Sequence, residues 1–340
     1  MKKRIILIGT LLLFLGGCSN NDTPKKLTKT KDIVPTMSDK ISDDGIWVGT
    51  FQLVWNDLKN EVVKQDIDIE NEMAINLNKA SFTEKDISSE YYYKKYGRGS
   101  LELKAEIEQG ILEKFNQKSE ILDSLNWNND YIFYTMLYRE FEFEQKFDVL
   151  SNTDFGKYKD IKFFGISPNS KSKLKEQVKI IFYDNNQNFA ISLKTKSGDE
   201  VIMYKNPDGL TFDEIYSNMK QKASEYNGSI MMSEVDEFKA PMISINYLRD
   251  YEELKNKPFL TADDESMEIA DALQTVEFIL NEKGGKVKSE AAIGTKYTAA
   301  IPEGEPKKLY LNDTFALFLK EENKDKPYLA AKITDITKFQ

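Results

Sequence analysis

Apolar and polar residues alternate most clearly near the end of the chain. Val276, Phe278 and Leu280 alternate with Glu277 and Ile279 in Gln274–Ala300, and β-branched and aromatic residues are frequent there. That pattern predicts a strand. Gly284-Gly285 interrupts it, a predicted hinge, because glycine tolerates backbone angles that other residues avoid. Beyond the hinge, Val287, Ser289, Ala291 and Ile293 share one side, while Lys286, Lys288 and Glu290 share the other. A long run of small residues reaches Pro306, and a second strand is expected over Leu309–Leu319. The plainest account is a hairpin with a long exposed loop. Loops of this length are uncommon and usually functional or disordered.

Elsewhere the periodicity alternates between helix and strand. After Asp43-Asp44-Gly45, the spacing of Trp47, Phe51, Val54, Trp55, Leu58 and Val62 predicts one helix with both tryptophans on its core-facing stripe. Ile67 to Leu77 alternates weakly. Leu103, Ile107, Ile111, Leu112 and Phe115 predict a helix over Leu101–Leu125, or two broken near Gly110. Asp130–Phe147 reads as one long strand whose far half places Phe141 and Phe143 between Glu140, Glu142 and Glu144. Phe163–Ile166 suggests a short strand. Val178–Lys194 predicts a hairpin about Asp184–Gln187, followed by a strand at Val201–Tyr204. Leu210–Tyr226 is an amphipathic helix with Thr211 as its cap. Glu234–Tyr247 gives strands around Pro241, with short helices or loops at Asp250–Leu254 and at 263–273. There is no internal repeat and no second linker rich in Pro or Gly.

The amino terminus carries a different signal. Lys2, Lys3 and Arg4 precede an apolar run, Ile5–Leu15, and then Leu15-Gly16-Gly17-Cys18. The run is too short to span a bilayer and reads as a secretory signal, residues 1–17. Leu-Gly-Gly-Cys resembles a bacterial lipobox, which implies cleavage before Cys18 and acylation of its thiol. Each buried methylene of an acyl chain contributes roughly 0.8 kcal/mol, and more than one chain makes anchoring stable. The expectation is a lipid anchor at the extracellular face of a cell membrane. Ser19–Lys40 is polar, so residues 18–40 read as a disordered tether, and residues 41–340 as a single domain.

Composition narrows the chemistry. Cys18 is the sole cysteine among 340 residues, so the exported domain has no disulfide. Lys and Arg number 47 against 56 Asp and Glu, a net charge of −9, and removal of the signal makes the balance more acidic. Such a charge argues against a nucleic-acid partner. No histidine occurs, which removes Ser-His-Asp and Cys-His catalysis and histidine-ligated metals. Carboxylate chemistry stays open, but among so many acids a close pair is far more often a solvated face. No Walker loop, GxGxxG or EF-hand spacing is present, and no cofactor is implied. Tyr91, Tyr92, Tyr93 and Tyr96 with Arg98 could form a binding surface, although tyrosines covering a helix face are the simpler account.

Several stretches resemble the serpins, the serine protease inhibitor superfamily. Asn281-Glu282-Lys283-Gly284, closing a strand and opening a small-residue loop, is similar to the serpin hinge. Asn312 to Leu319 resembles the strand after the reactive loop, with Thr314 where a proline is usual. Lys326-Pro327-Tyr328-Leu329-Ala330-Ala331-Lys332-Ile333 is similar to the closing strand. Tyr138, Phe143, Phe147, Thr153 and Phe155 parallel the family's central-strand pattern, with Phe143 at its tryptophan position and Thr135 at its asparagine. Phe238-Lys239-Ala240-Pro241-Met242-Ile243-Ser244-Ile245 lies in the matching place of the second half. The resemblance covers Asp130 to Ile333 and the first helix. About 65 residues separate that helix from Asp130, too few for the usual helices and strands at about 1.5 Å and 3.3 Å per residue.

The resemblance implies an α+β fold with mixed and antiparallel sheets, flanking helices and an exposed loop before the carboxy-terminal strands. It implies a non-catalytic chain whose partner is an extracellular serine or cysteine protease. Glu282, Gly284 and Gly285 form the hinge, and cleavage falls near Lys296, Tyr297, Thr298 and Ala299. The freed segment would enter the main sheet as a new strand. Lys286, Lys288 and Glu290 must then stay solvated, because an unpaired buried charge is very costly. Inhibitory serpins usually carry small uncharged residues along this hinge, so the lysines are expected to slow insertion. The alternative function is a non-inhibitory extracellular binding lipoprotein.

Overall fold

The computed structural model describes residues 26–128, 130–285 and 306–340. The chain enters along β1 (Thr28–Lys29), passes through β2 (Gly45–Val48), and turns directly into α1 (Thr50–Asp57), which a π-helical turn, Leu58–Val63, extends. α2 (Glu72–Asn78), β3 (Tyr92–Gly97) and α3 (Leu101–Phe115) lead to β4 (Ile132–Leu137). Short strands follow: β5 (Phe141–Glu142), β6 (Asp148–Val149), the hairpin β7 (Thr153–Phe155) and β8 (Tyr158–Ile161), and β9 (Phe163–Ile166). β10 (Val178–Asn185), β11 (Asn188–Lys194) and β12 (Asp199–Lys205) precede α4 (Phe212–Glu225). β13 (Glu237–Pro241), β14 (Ile243–Asp250), the hairpin β15 (Pro258–Leu260) and β16 (Ser266–Glu268), and β17 (Leu273–Leu280) come next. β18 (Gly284–Gly285), β19 (Lys308–Tyr310), β20 (Phe315–Glu321) and β21 (Leu329–Ile333) complete the chain.

Six strands form the central sheet in the order β10-β11-β12-β20-β21-β2, with every neighbouring pair antiparallel. β20 is apolar on both faces, and all of its residues but Lys320 are buried, as expected of a strand covered on both sides. A second sheet runs β19-β13-β9-β6, a third runs β1-β14-β17, and β3 pairs with β4 alone. α3 covers one face of the β3–β4 pair through Leu103, Ile107 and Ile111 against Ile132 and Tyr134. α1 packs beneath it. Phe143 and Phe278, distant in sequence, belong to one hydrophobic core. The α+β architecture expected from the sequence is present, with the segment between α1 and β4 reduced to α2, β3, α3 and short 3-10 turns.

Several local expectations need correction. Trp47 lies in β2, while Trp55 lies in α1, so the tryptophans share no helical stripe. Only Gly49 separates strand from helix, and a 3.6-residue template spans that junction unnoticed. α3 does not break at Gly110. The missing side chain leaves room for Tyr93, whose ring would lie 2.5 Å from an added Cβ. The helix ends at Asn116, which takes the left-handed conformation (φ 52°) that ends many helices. The tyrosine segment is strand β3 and not a helix face. Residues 26–40 do not form a tether: Ile33, Val34 and Met37 are buried in the core, and β1 pairs in parallel with β14. The long strand expected over Asp130–Phe147 is broken between β4 and β5. Leu309–Leu319 divides into β19 and β20.

Candidate functional site: an open seam between two strand edges

β4 is paired on one side with β3, and β17 on one side with β14. Among the described residues, the other edges of β4 and β17 are not paired with each other. They face across a groove of about 840 Å³. Phe51, Val54, Trp55 and Leu58 form its α1 side, and Phe259 and Met267 of the β15–β16 hairpin also line it. Unpaired strand edges present rows of backbone N–H and C=O groups that readily accept another strand. Thr135 Oγ1 on β4, which lines the groove, is buried and has no partner among the described residues.

The hinge predicted from sequence sits at one end of this groove. β17 turns back through Glu282 and Lys283, closed by Asn281 N–H to Gly284 O (3.1 Å) and Gly284 N–H to Asn281 O (3.2 Å). β18 then pairs antiparallel with β5, Gly284 opposite Glu142 and Gly285 opposite Phe141. Phe143 N–H donates to Lys283 O (3.0 Å), Phe147 N–H donates to Glu282 O (2.9 Å), and Lys146 lies 3.5 Å from the Glu282 carboxylate. One position here demands glycine, and the next is tightly packed. Gly284 has φ +123°, and an added Cβ would meet Phe141 O at 2.4 Å. At Gly285 an added Cβ would lie 3.1 Å from Ile279 O and 3.2 Å from the Phe141 ring, so the residue is wedged between β17 and β5. The structure therefore brings Glu282, Gly284 and Gly285 together. Lys296, Tyr297, Thr298 and Ala299, and the lipidation site Cys18, lie outside the described residues.

Below the hinge, side chains hold the two walls to the rest of the molecule. On the β17 side, Gln274 Nε2 donates to Val48 O and Thr50 Oγ1 (both 3.0 Å), and its Oε1 accepts from the fully buried Tyr251 hydroxyl (2.7 Å). On the β4 side, Arg139 turns inward between β4 and β5. Its Nε donates to Asp199 Oδ2 (2.7 Å), its Nη2 lies 2.6 Å from the same oxygen, and its guanidinium lies 3.2 Å from the centre of the Tyr91 ring. Tyr328 donates to Asp199 Oδ1 (3.2 Å). Burial pushes the Asp199 carboxyl up from its ordinary value, against the lowering pull of Arg139. The rim is acidic. Glu277 is exposed, and Glu140 accepts a short hydrogen bond from Tyr138. Burial and the charge of Glu277 raise the carboxyl of Glu120.

The overall arrangement of helices and sheets has solved counterparts. A thermophilic serpin, tengpin, in its native state superposes with a TM-score of 0.53 at 13% identity, over 88% of this chain and 90% of that one. The chain has a serpin-like fold. Lower superpositions link it to Serpin48 of the insect Tenebrio molitor (TM-score 0.43, 12% identity) and to thyroxine-binding globulin in complex with thyroxine (0.42, 13%). Each of these covers 69% of this chain, which spans 65% of their length. No protein-family model and no curated protein sequence matches the chain. At such identities the likeness is one of fold.

The sequence marked Gly284-Gly285 as a break at the end of β17, but not the open seam beside it. An unpaired edge is an absence of partners, and a strand's own residues do not record it. Glu140 and Glu277 were likewise unmarked among many surface acids. Of the tyrosine-rich segment, Tyr92 is buried and Tyr93 packs against α3 at Gly110, while Tyr96, 39% exposed, stacks on Phe133 at 5.3 Å and Arg98 lies over Tyr131 at 5.6 Å.

Proposed function

We propose that this serpin-like chain is a protease-interacting protein of the cell surface, in which cleavage of the loop after Gly285 lets the freed segment enter the groove between β4 and β17. The single observation that carries this reading is the seating of Gly284-Gly285 between β5 and β17 at the end of a seam that no other described residue fills. Insertion would add backbone hydrogen bonds to both bare edges and bury the small side of the segment. Its length suffices. Residues 286–298, at about 3.3 Å per residue, extend about 40 Å, longer than the eight-residue β17. A serine or cysteine protease that cuts near Lys296–Ala299 is held as an acyl-enzyme on the new carboxy-terminal end of that segment. Trapping requires the strand to move before water hydrolyses the acyl bond. Lys296 suits a trypsin-like enzyme and Tyr297 a chymotrypsin-like one. The lipobox-like run ending at Cys18 supports anchorage at the outer face of a membrane, which places the trap before extracellular proteases.

Cleavage between Gly285 and Pro306 is expected to raise the melting temperature sharply, as read by calorimetry. Incubation with trypsin- or chymotrypsin-like enzymes is expected to give an adduct that survives denaturing gel electrophoresis. A raised melting temperature without an adduct would keep insertion and remove inhibition. An unchanged melting temperature would remove both and favour the binding lipoprotein.

A further inference from the structure

The seated hinge fixes a register for the segment beyond it, provided that this segment inserts between β4 and β17 as proposed for the cleaved chain. Gly284 and Gly285 pair antiparallel with Glu142 and Phe141, and Gly284 bridges Asn281 antiparallel on the other side. Continuing both ladders without a bulge sets Lys286 opposite Glu140 on one wall and Ile279 on the other. Lys288 falls between Tyr138 and Glu277. Val287, Ser289 and Ala291 fall opposite Phe278, Val276 and Gln274.

The phases agree on both walls, because side chains directly opposite in a ladder share a face. On β17, Gln274, Val276, Phe278 and Leu280 are buried, whereas Glu277 is exposed. On the β4 wall, Ile132 and Tyr134 face α3, and Tyr138 meets Phe115 of α3 at 5.7 Å. Leu137, Phe141 and Phe143 join the main core, and Arg139 reaches Asp199. Thus Glu140 and Tyr138 share the outer face with Glu277. The side carrying Val287, Ser289 and Ala291 meets the core, while Lys286, Lys288 and Glu290 meet the rim, Glu290 falling between Met136 and Thr275 rather than beside an acidic residue.

We propose that Glu140 and Glu277 are an acidic clasp that receives Lys286 and Lys288, so that the charged hinge is matched to its own groove. The occupant is this chain's own segment, chosen by charge complementarity and by the point at which β18 enters the groove. The open seam concentrates negative charge at Glu120, Glu140 and Glu277, and each lysine neutralises part of it on entry. Opposite charges directly across a ladder stabilise it, and like charges destabilise it. The lysines are then a register device whose strength depends on ionic strength, as expected of solvent-facing pairs.

The test follows the rate at which loop-cleaved protein acquires heat resistance. Glu140→Lys/Glu277→Lys is expected to slow that rate by about tenfold, as like charges replace two attractive pairs. Raising the salt concentration is expected to slow the wild type and to speed this variant. Adding Lys286→Glu/Lys288→Glu to it is expected to restore the wild-type rate. The melting temperature of each uncleaved variant checks that the fold is intact, and Glu140→Gln/Glu277→Gln supplies a milder form if the reversal does not fold. Insertion of the reversed or the neutral variant at the wild-type rate, with no response to salt, would overturn the clasp while leaving insertion standing. No gain in heat resistance by the cleaved wild type would mean no insertion, and both proposals would fall.

Discussion

Gly284→Val is expected to leave the intact protein folded and to abolish the rise in melting temperature on loop cleavage. The position has φ +123°, where a β-branched residue is strongly strained. The first side-chain carbon would also lie 2.4 Å from Phe141 O and 2.8 Å from Glu142 Cα, both of them backbone atoms that a rotamer change cannot move. Relief requires the hinge to leave its place beside β5, which breaks the ladder that begins insertion. The rest of the core does not depend on those two pairings, so the loss falls on the cleaved form. Calorimetry of cleaved and uncleaved variant protein reads the difference, and cleavage by the protease should proceed without a stable adduct. A variant that still gains heat resistance after cleavage would show that insertion does not begin at Gly284.

Arg139→Met is expected to destabilise the protein by about 3–5 kcal/mol at neutral pH, because it leaves a buried carboxylate without its cation. Asp199 is 1% exposed, and Arg139 is the cation paired with it. The hydroxyl of Tyr328 and Ser197 Oγ (2.9 Å) remain as donors, but they carry no charge. The pH dependence has a definite sign. Burial raises the folded-state pKa of Asp199, so the native state takes up a proton more readily than the unfolded chain. Its contribution to stability is therefore full below the unfolded pKa and declines as pH rises through the folded pKa. Removing Arg139 raises that folded pKa further. The deficit of the variant should then shrink as pH falls through it, since a protonated Asp199 needs no cation. Urea denaturation of both proteins from neutral to mildly acidic pH measures this, and a deficit independent of pH would contradict it.

Arg139 also shows why the sequence disclosed some elements and hid others. The apolar alternation across Asp130–Phe147 is real, and the odd-numbered side chains from Leu137 to Phe143 do face inward. The hydrogen-bonded strand nonetheless stops at Leu137, where the Arg139 guanidinium replaces an apolar group on the inner face, and resumes at Phe141. Elements whose signals are local were legible: the β10–β11 hairpin, and α4 with Thr211 Oγ1 accepting from Glu214 N–H (3.1 Å). β17 and the break at Gly284-Gly285 were legible for the same reason, since alternation ends at a pair of residues without side chains. Residues 26–40 misled because their composition is polar on average. Ile33, Val34 and Met37 are few, but they find core contacts supplied by distant segments. The seam was illegible for a related reason. It is defined by which strands fail to pair, and that depends on β4, β17, α1 and the β15–β16 hairpin meeting around it.

The central claim is that the facing edges of β4 and β17 are vacant ladders awaiting a strand. Hydrogen exchange of the amides in 132–140 and 273–280, compared before and after the loop is cut between Gly285 and Pro306, tests it most directly. The groove-facing amides should exchange quickly in the intact protein and become strongly protected on both walls after cleavage. Protection that stays the same after cleavage, or that rises on one wall alone, would contradict the account.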